Sequence, residues 1–294
     1  MSGTATAPLR DAALADLQSL KRRHPDAFRT LDRRRVAGLF AVFAALALLC
    51  FGLWRLGFSP GLLLGGLGQL AWFTGLMLPP DPGSWSILLS TLTGLGETLA
   101  IAFLGTGFAA LLALPVSLLA ARNTTVSGAV RFLTRRSLDT LRGVNTLIWA
   151  LIWIGVVGLG PFAGVLAIVT IDVGTLGKMF SEAIEAADGR AAEGITSAGG
   201  GALHRIRYAT LPEVMPVLAG QALYLFESNV RASTIIGIIG AGGIGLQLSE
   251  MIRTLEWRAV SFIILLILVM VALIDWLSAR LRRAIAGEAP GQTA

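Results

Sequence analysis

Long stretches without a single charged side chain recur along this chain, at residues 36–54, 98–121 and 143–171. They constrain it more than any other feature. At 1.5 Å per residue, about 20 helical residues cross the roughly 30 Å hydrocarbon core of a bilayer. Charged residues make up 14% of the chain, against about 25% in an ordinary soluble domain, while 54% are hydrophobic and mean hydropathy is +0.73. A water-soluble enzyme and a disordered chain are both excluded. The apolar residues run continuously rather than alternating, which argues against a transmembrane β-barrel. The expected fold is all-α, a polytopic bundle of about six spans.

Six spans are placed at 36–54, 98–121, 144–158, 161–180, from Met215 to a point between Arg231 and Ile239, and at 259–278. Pro115 should kink the second. Val144–Phe180 is too long for one crossing, and Gly158-Leu-Gly-Pro161 divides it. Residues 1–35 read as a basic cytoplasmic tail with a short amphipathic helix over 11–20. A cleaved leader would carry its apolar core much closer to Met1. Residues 36–96 hold the first span and an outer interfacial segment, 97–283 a core, and 284–294 a second cytoplasmic tail. With both termini inside, the inner regions carry 20 of the 24 cations, and only Arg55, Arg231, Arg253 and Arg258 fall outside. That asymmetry accounts for the net charge of +6 through the positive-inside rule, without nucleic acid. Cys50 stands alone, and His24 and His204 are too few for a His/Cys metal cluster.

The informative polar segment runs from Glu193 to Pro212. A helix over about 182–198 should stop at Gly199-Gly-Gly201, whose glycines supply the φ > 0 conformations of a tight turn. A second short helix over about 202–208 follows, and Pro212 opens the next span. The whole is a compact helical hairpin, at about 182–208, on the cytoplasmic face.

The spacing Glu193, Gly199, Leu211-Pro212 resembles the EAA loop of ABC-importer permeases, with Gly194 and Ile195 replacing the two alanines and Ala209 the isoleucine. Leu159–Ala167, Gly174–Glu185, Arg205–Tyr208, Phe226–Ser233 and Gly237–Gly245 are similar to the phosphonate-type branch. The likeness covers about 97–283. Arg142-Gly-Val-Asn145 departs where relatives usually carry proline. The resemblance implies a type I importer permease fold and a coupling hairpin formed by Glu193, Gly194, Gly199, Leu211 and Pro212. It also implies a cytoplasmic ABC ATPase dimer, an extracytoplasmic solute-binding protein and a second copy of the chain. The cargo would be phosphonate or a related phosphorus oxyanion, and the site the bacterial inner membrane.

Other candidates are weaker. Gly240-Ala-Gly242-Gly243-Ile-Gly245 satisfies G-x-G-x-x-G, but no strand–turn–helix context is expected there. Close packing at a broken helix end is the plainer explanation, and exposed backbone N–H groups passing an anion the functional one. Glu227, Asn229 and Arg231 sit in or near the membrane, either as an i,i+4 structural pair or as a translocation path or gate. Asp172 should pair with Arg231 or a cytoplasmic-side arginine, and Asp275 should pair with Arg280 or lie at the interface. Trp149, Trp153, Trp257 and Trp276 read as anchors or packing. No Walker sequence is present, so no catalytic residue, metal or cofactor is assigned to this chain. ATP and Mg would reside on the partner ATPase. An energy-independent channel, a secondary carrier, or an importer for another solute such as an amino acid remain the alternatives. An inverted repeat, usual in secondary carriers, is not evident.

Overall fold

The computed structural model describes residues 33–125 and 127–285. The N-terminal tail through residue 32, with the helix expected over 11–20, and residues 286–294 of the second tail lie outside the described residues. Among the described residues every regular element is helical. The chain divides into two compact units, Met1–Trp72 and Phe73–Ala294. In the first, α1 (Arg33–Arg55) is followed by α2 (Pro60–Met77). Leu39, Phe40, Phe43, Leu49 and Trp54 of α1 are all exposed, as an apolar helix sheathed by lipid requires. The segment expected to be interfacial is largely the helix α2.

The second unit is the bundle. It contains α3 (Trp85–Ala120), α4 (Gly128–Gly143), α5 (Thr146–Val157), α6 (Pro161–Ala186), α7 (Gly189–Ser197) and α8 (Ala202–Arg205). A π-helical turn, Ile206–Thr210, leads into α9 (Leu211–Ile236), then come α10 (Ile244–Arg253) and α11 (Trp257–Ile285). Helices α3 and α6 form its spine. They run parallel in a constant register: Gly105 faces Ile168, and at the far end the Arg122 N–H donates to Glu185 Oε1 at 2.6 Å, both pairs 63 residues apart. A Cβ on Gly105 would lie 2.6 Å from Ile168 Cγ2. The buried face of α3 is otherwise Thr98, Ala102, Thr106, Ala109, Ala113 and Ser117. In lipid, where apolar surface gains nothing by leaving the solvent, such small residues let helices approach closely enough for dispersion to hold them. Pro115 causes no break, and α3 is helical through to Ala120.

Two crossings are broken. Helix α4 lies along the C-terminal half of α6: Leu138 seats on Gly174 and Gly177, and Arg131 and Arg135 bond Glu185 at 3.2 and 2.9 Å. The chain then bends by 88° into α5. There Trp153 Nε1 donates to Thr170 Oγ1, and Trp149 Nε1 to the Leu141 carbonyl. The third crossing is therefore a charged half-helix plus an apolar one, where a single apolar span over 144–158 was expected. Similarly α9 ends in a second π-helical turn, Gly237–Ala241, and α10 continues at 57°. Four helices are long and apolar enough to cross a membrane, and the two bent pairs bring the total to six. Glu227 on α9 bonds Arg282 near the end of α11, and Arg231, one turn on from Glu227, bonds Asp275, two turns before Arg282.

Replacing Gly105 with Val should overpack the spine and destabilise the protein by about 1–3 kcal/mol. The detergent-solubilised protein should melt several degrees lower, whereas Gly107→Ala, with nothing within 4 Å of its Cβ position, should melt no lower than wild type.

Candidate functional site

The hairpin begins where α6 ends. The helix expected over 182–198 is two helices, because α6 stops at Ala186 and Asp188 caps a new one, accepting from Arg190 N at 3.1 Å. Helix α7 ends in a Schellman arrangement: Gly199 N donates to Thr196 O at 2.9 Å and Gly200 N to Ile195 O at 2.8 Å. Of the three glycines only Gly199 has a positive φ, +84°. Gly200 is required for space, since a Cβ there would lie 2.4 Å from Ile195 Cγ2, and Gly201 has an extended backbone. Glu193 and Gly194 are exposed on α7, as are Leu203, His204 and Tyr208 on the return limb. Leu211 is half-buried and Pro212 exposed at the start of α9. The hairpin is tied to that helix by the Asp188 N–H, which donates to Glu213 Oε1 at 2.6 Å. A crevice of about 150 Å³ remains between it and the end of α3, lined by Asn123, Asp188, Arg205 and Thr210.

Higher in the bundle, Asn229 Nδ2 donates to Thr106 Oγ1 at 2.8 Å and to Asp172 Oδ2. All three residues are buried, and they join α3, α6 and α9 at one level. Asp172 thus pairs with Asn229 and not with the arginine expected for it. Arg231 instead bonds Asp275 Oδ1 at 3.2 Å, displacing the expected Asp275–Arg280 pair, and Arg280 lies over the Trp276 ring. The i,i+4 contact between Glu227 and Arg231 is present at 3.6 Å, but Glu227 is held more tightly by Arg282, whose Nη1 and Nη2 lie 3.0 and 3.1 Å from Oε2. The result is a chain of four alternating charges between α9 and α11. Its side chains range from 15% exposed at Glu227 to 45% at Arg231.

The glycine-rich segment is a turn between helices. Gly240, Gly242 and Gly243 have φ of +105°, +78° and +74°, a sequence of backbone conformations closed to other residues without strain. Gly240 O accepts from Gly160 N at 3.0 Å. Two of the N–H groups that an anion could have used are occupied: Gly243 N donates to Glu97 Oε2 at 3.0 Å, and Ile244 N to Thr98 Oγ1 at 2.8 Å. Among the described residues no group of three or more His, Cys, Asp or Glu side chains gathers as a metal centre.

Residues 113–287 match the family described as binding-protein-dependent transport system inner membrane component. The chain belongs to this family. It is 38% identical over 251 residues to the phosphite transport system permease protein PtxC of Stutzerimonas stutzeri, covering 85% of this chain and 89% of that one. It is also 38% identical to the phosphate-import permease protein PhnE of Mycolicibacterium smegmatis, over 70% of this chain and 38% of that longer protein. The inward-facing MetNI methionine ABC transporter superposes with a TM-score of 0.61 at 21% identity, covering 69% of this chain and 99% of the matched one. The resemblance to phosphonate-type ABC permeases carried by segments 159–185 and 226–245 is thereby borne out, as is the type I importer fold.

Two residues of the permease escape sequence reasoning. Glu97 is the one charged residue in α3, a signal that was available but had no partner to give it meaning. Arg282 reads as one of several terminal cations until α11 is seen to lie against α9.

In Gly199→Ala, the left-handed conformation should cost about 1–2 kcal/mol. Hydrogen exchange at the Gly199 and Gly200 amides should accelerate by roughly 5- to 30-fold. Gly194→Ala, in mid-helix with open space around it, should instead slow exchange in α7, because alanine favours helix by about 1 kcal/mol.

Proposed function

We propose that this permease carries phosphonate or a related phosphorus oxyanion, such as phosphite or phosphate, into the cell. The energy comes from ATP hydrolysed with Mg on a separate ATPase dimer. The names of its relatives support the cargo, and the hairpin supports the coupling. Glu193, Gly194 and Gly199 shape a protrusion whose outer surface, with Leu203 and Tyr208 exposed, fits a groove on that ATPase. Leu211-Pro212 and the Asp188–Glu213 hydrogen bond join it to α9. Closure of the ATPase pushes the hairpin, and the push travels along α9, which is bonded to α3 and α6 through Asn229. The bundle then shifts between inward- and outward-open arrangements as one allosteric unit.

Two copies of the chain enclose the pathway, an extracytoplasmic binding protein delivers the cargo, and lipid surrounds the pair. Both termini are cytoplasmic, and the protein resides in the bacterial inner membrane. Arg231 is the cation an oxyanion meets on its way, tuned by Glu227 and Asp275. The glycine turn at Gly240, Gly242 and Gly243 forms part of the path wall.

Reconstitution with the ATPase and binding protein should give ATP-dependent uptake of a labelled phosphonate or phosphite. Equilibration without ATP would overturn the reading. Deleting residues 193–208 should leave membrane insertion intact and abolish ATPase association, measured by co-purification. Arg231→Gln should lower uptake about tenfold, the scale of a 1.4 kcal/mol loss, with ATPase association unchanged.

A further inference from the structure

Helix α4 and the part of α6 beside it carry more positive charge than their own acids neutralise. Among the described residues, three cations surround Asp139: Lys178 Nζ and Arg142 Nε lie 3.3 and 3.2 Å from Oδ1, and Arg136 Nη2 lies 3.3 Å from Oδ2. Arg131 and Arg135 share Glu185. Five cations therefore meet two carboxylates, and counting the exposed Glu182, one turn on from Lys178, raises the acids only to three. The excess is accessible at the Asp139 end, where Arg136 and Arg142 are 64% and 42% exposed. Each guanidinium has five N–H donors in a planar fork, and one carboxylate shared three ways occupies few of them.

The setting is apolar as well as cationic. Val130, Phe132 and Leu133 of α4 are exposed, and the Arg136 guanidinium lies 5.7 Å from the Phe132 ring centroid. Beyond the 88° bend, Ile148 and Ile152 of α5 are exposed too. Lys178 is eight residues before the end of α6 at Ala186, about 12 Å along the helix. The cluster thus stands near the level at which a spanning helix leaves the hydrocarbon. Cations held at that level beside apolar side chains match a molecule with an anionic head and acyl chains. A second copy of the chain fits less well, because an isologous contact would set this net-positive face against itself.

We propose that Arg136, Arg142 and Lys178 seat the phosphate of an anionic phospholipid, whose acyl chains lie against Phe132 and the exposed side of α5. A phosphodiester carries one negative charge on two free oxygens. The two guanidinium forks can grip those oxygens, and the lysine adds a point charge. Asp139 gathers the three cations and keeps them close while the seat is empty. The site is separate from Arg231 and does not depend on which solute the permease carries.

The test uses the full-length protein, stripped of lipid in a neutral detergent and titrated with phosphatidylglycerol, phosphatidylcholine or inorganic phosphite while its melting is followed. Phosphatidylglycerol should raise the melting temperature by several degrees, and the other two should not. Arg136→Gln/Arg142→Gln should melt like wild type without lipid, since exposed ion pairs contribute little. Its apparent affinity for phosphatidylglycerol should fall roughly 25-fold, about fivefold for each cation lost. Arg136→Gln alone should show the fivefold step. Arg190→Gln, which removes an isolated exposed cation of the hairpin, should bind the lipid as wild type does. Equal stabilisation by phosphatidylcholine, or undiminished phosphatidylglycerol binding in the double variant, would overturn the seat. Displacement of the lipid by phosphite would assign the cations to a free oxyanion and overturn the lipid reading. So would efficient disulfide formation between copies through Ser137→Cys, exposed on the same helix, in a Cys50→Ala background, because a second copy would then cover this face.

Discussion

Gly105 lies so close to Ile168 that no side chain could be inserted between them, and the same parallel register holds from there to the contact of Arg122 with Glu185. Within a bilayer the usual driving force for burying apolar surface is absent, so close packing of small residues must hold helices together. The α3–α6 spine meets that demand along its length. Everything else in the second unit is fitted around it: α4 and α5 cover one side, α9 lies against both members, and α10 caps the end of α3 beyond the start of α6.

The polar groups follow the same logic. Backbone amides left open where helices break must find partners, because hydrocarbon offers none. At the Gly240–Gly243 turn Glu97 and Thr98 accept from the Gly243 and Ile244 N–H groups, and the Gly240 carbonyl accepts from the Gly160 N–H. Side chains obey it too. Asn229 links Thr106 and Asp172 in the interior, and Glu227 is shared between Arg231 and Arg282. Leaving a buried charge unpaired costs more than the pair contributes, so these contacts fix which faces of α9 and α11 meet.

The hairpin after α6 differs in kind. It has few buried side chains, and its shape comes from backbone chemistry: an Asp188 cap, a Schellman turn at Gly199 and a close approach at Gly200. A protrusion built in this way can be stiff while presenting exposed side chains to a partner. Its attachment through Glu213 to a helix that is itself bonded to α3 and α6 provides a continuous route from the inner surface to the bundle interior.

The sequence by itself determined that this chain spans a membrane as helices, because charge-free runs of that length have no other stable solution. It also located the hairpin, since a glycine cluster between polar helical segments is a local signal, and the spacing from Glu193 to Pro212 identified the family. It could not reveal that the third crossing is broken. The charged residues of α4 read as a surface loop until Gly174 and Gly177 are seen to admit Leu138. Nor could it assign partners to Asp172, Asp275 or Glu97, or the second partner of Arg231, since each of these bonds joins residues at least 44 positions apart. Periodicity and composition report what a residue needs, a low-dielectric contact or a counter-charge. Only the packing of distant helices decides which residue supplies it.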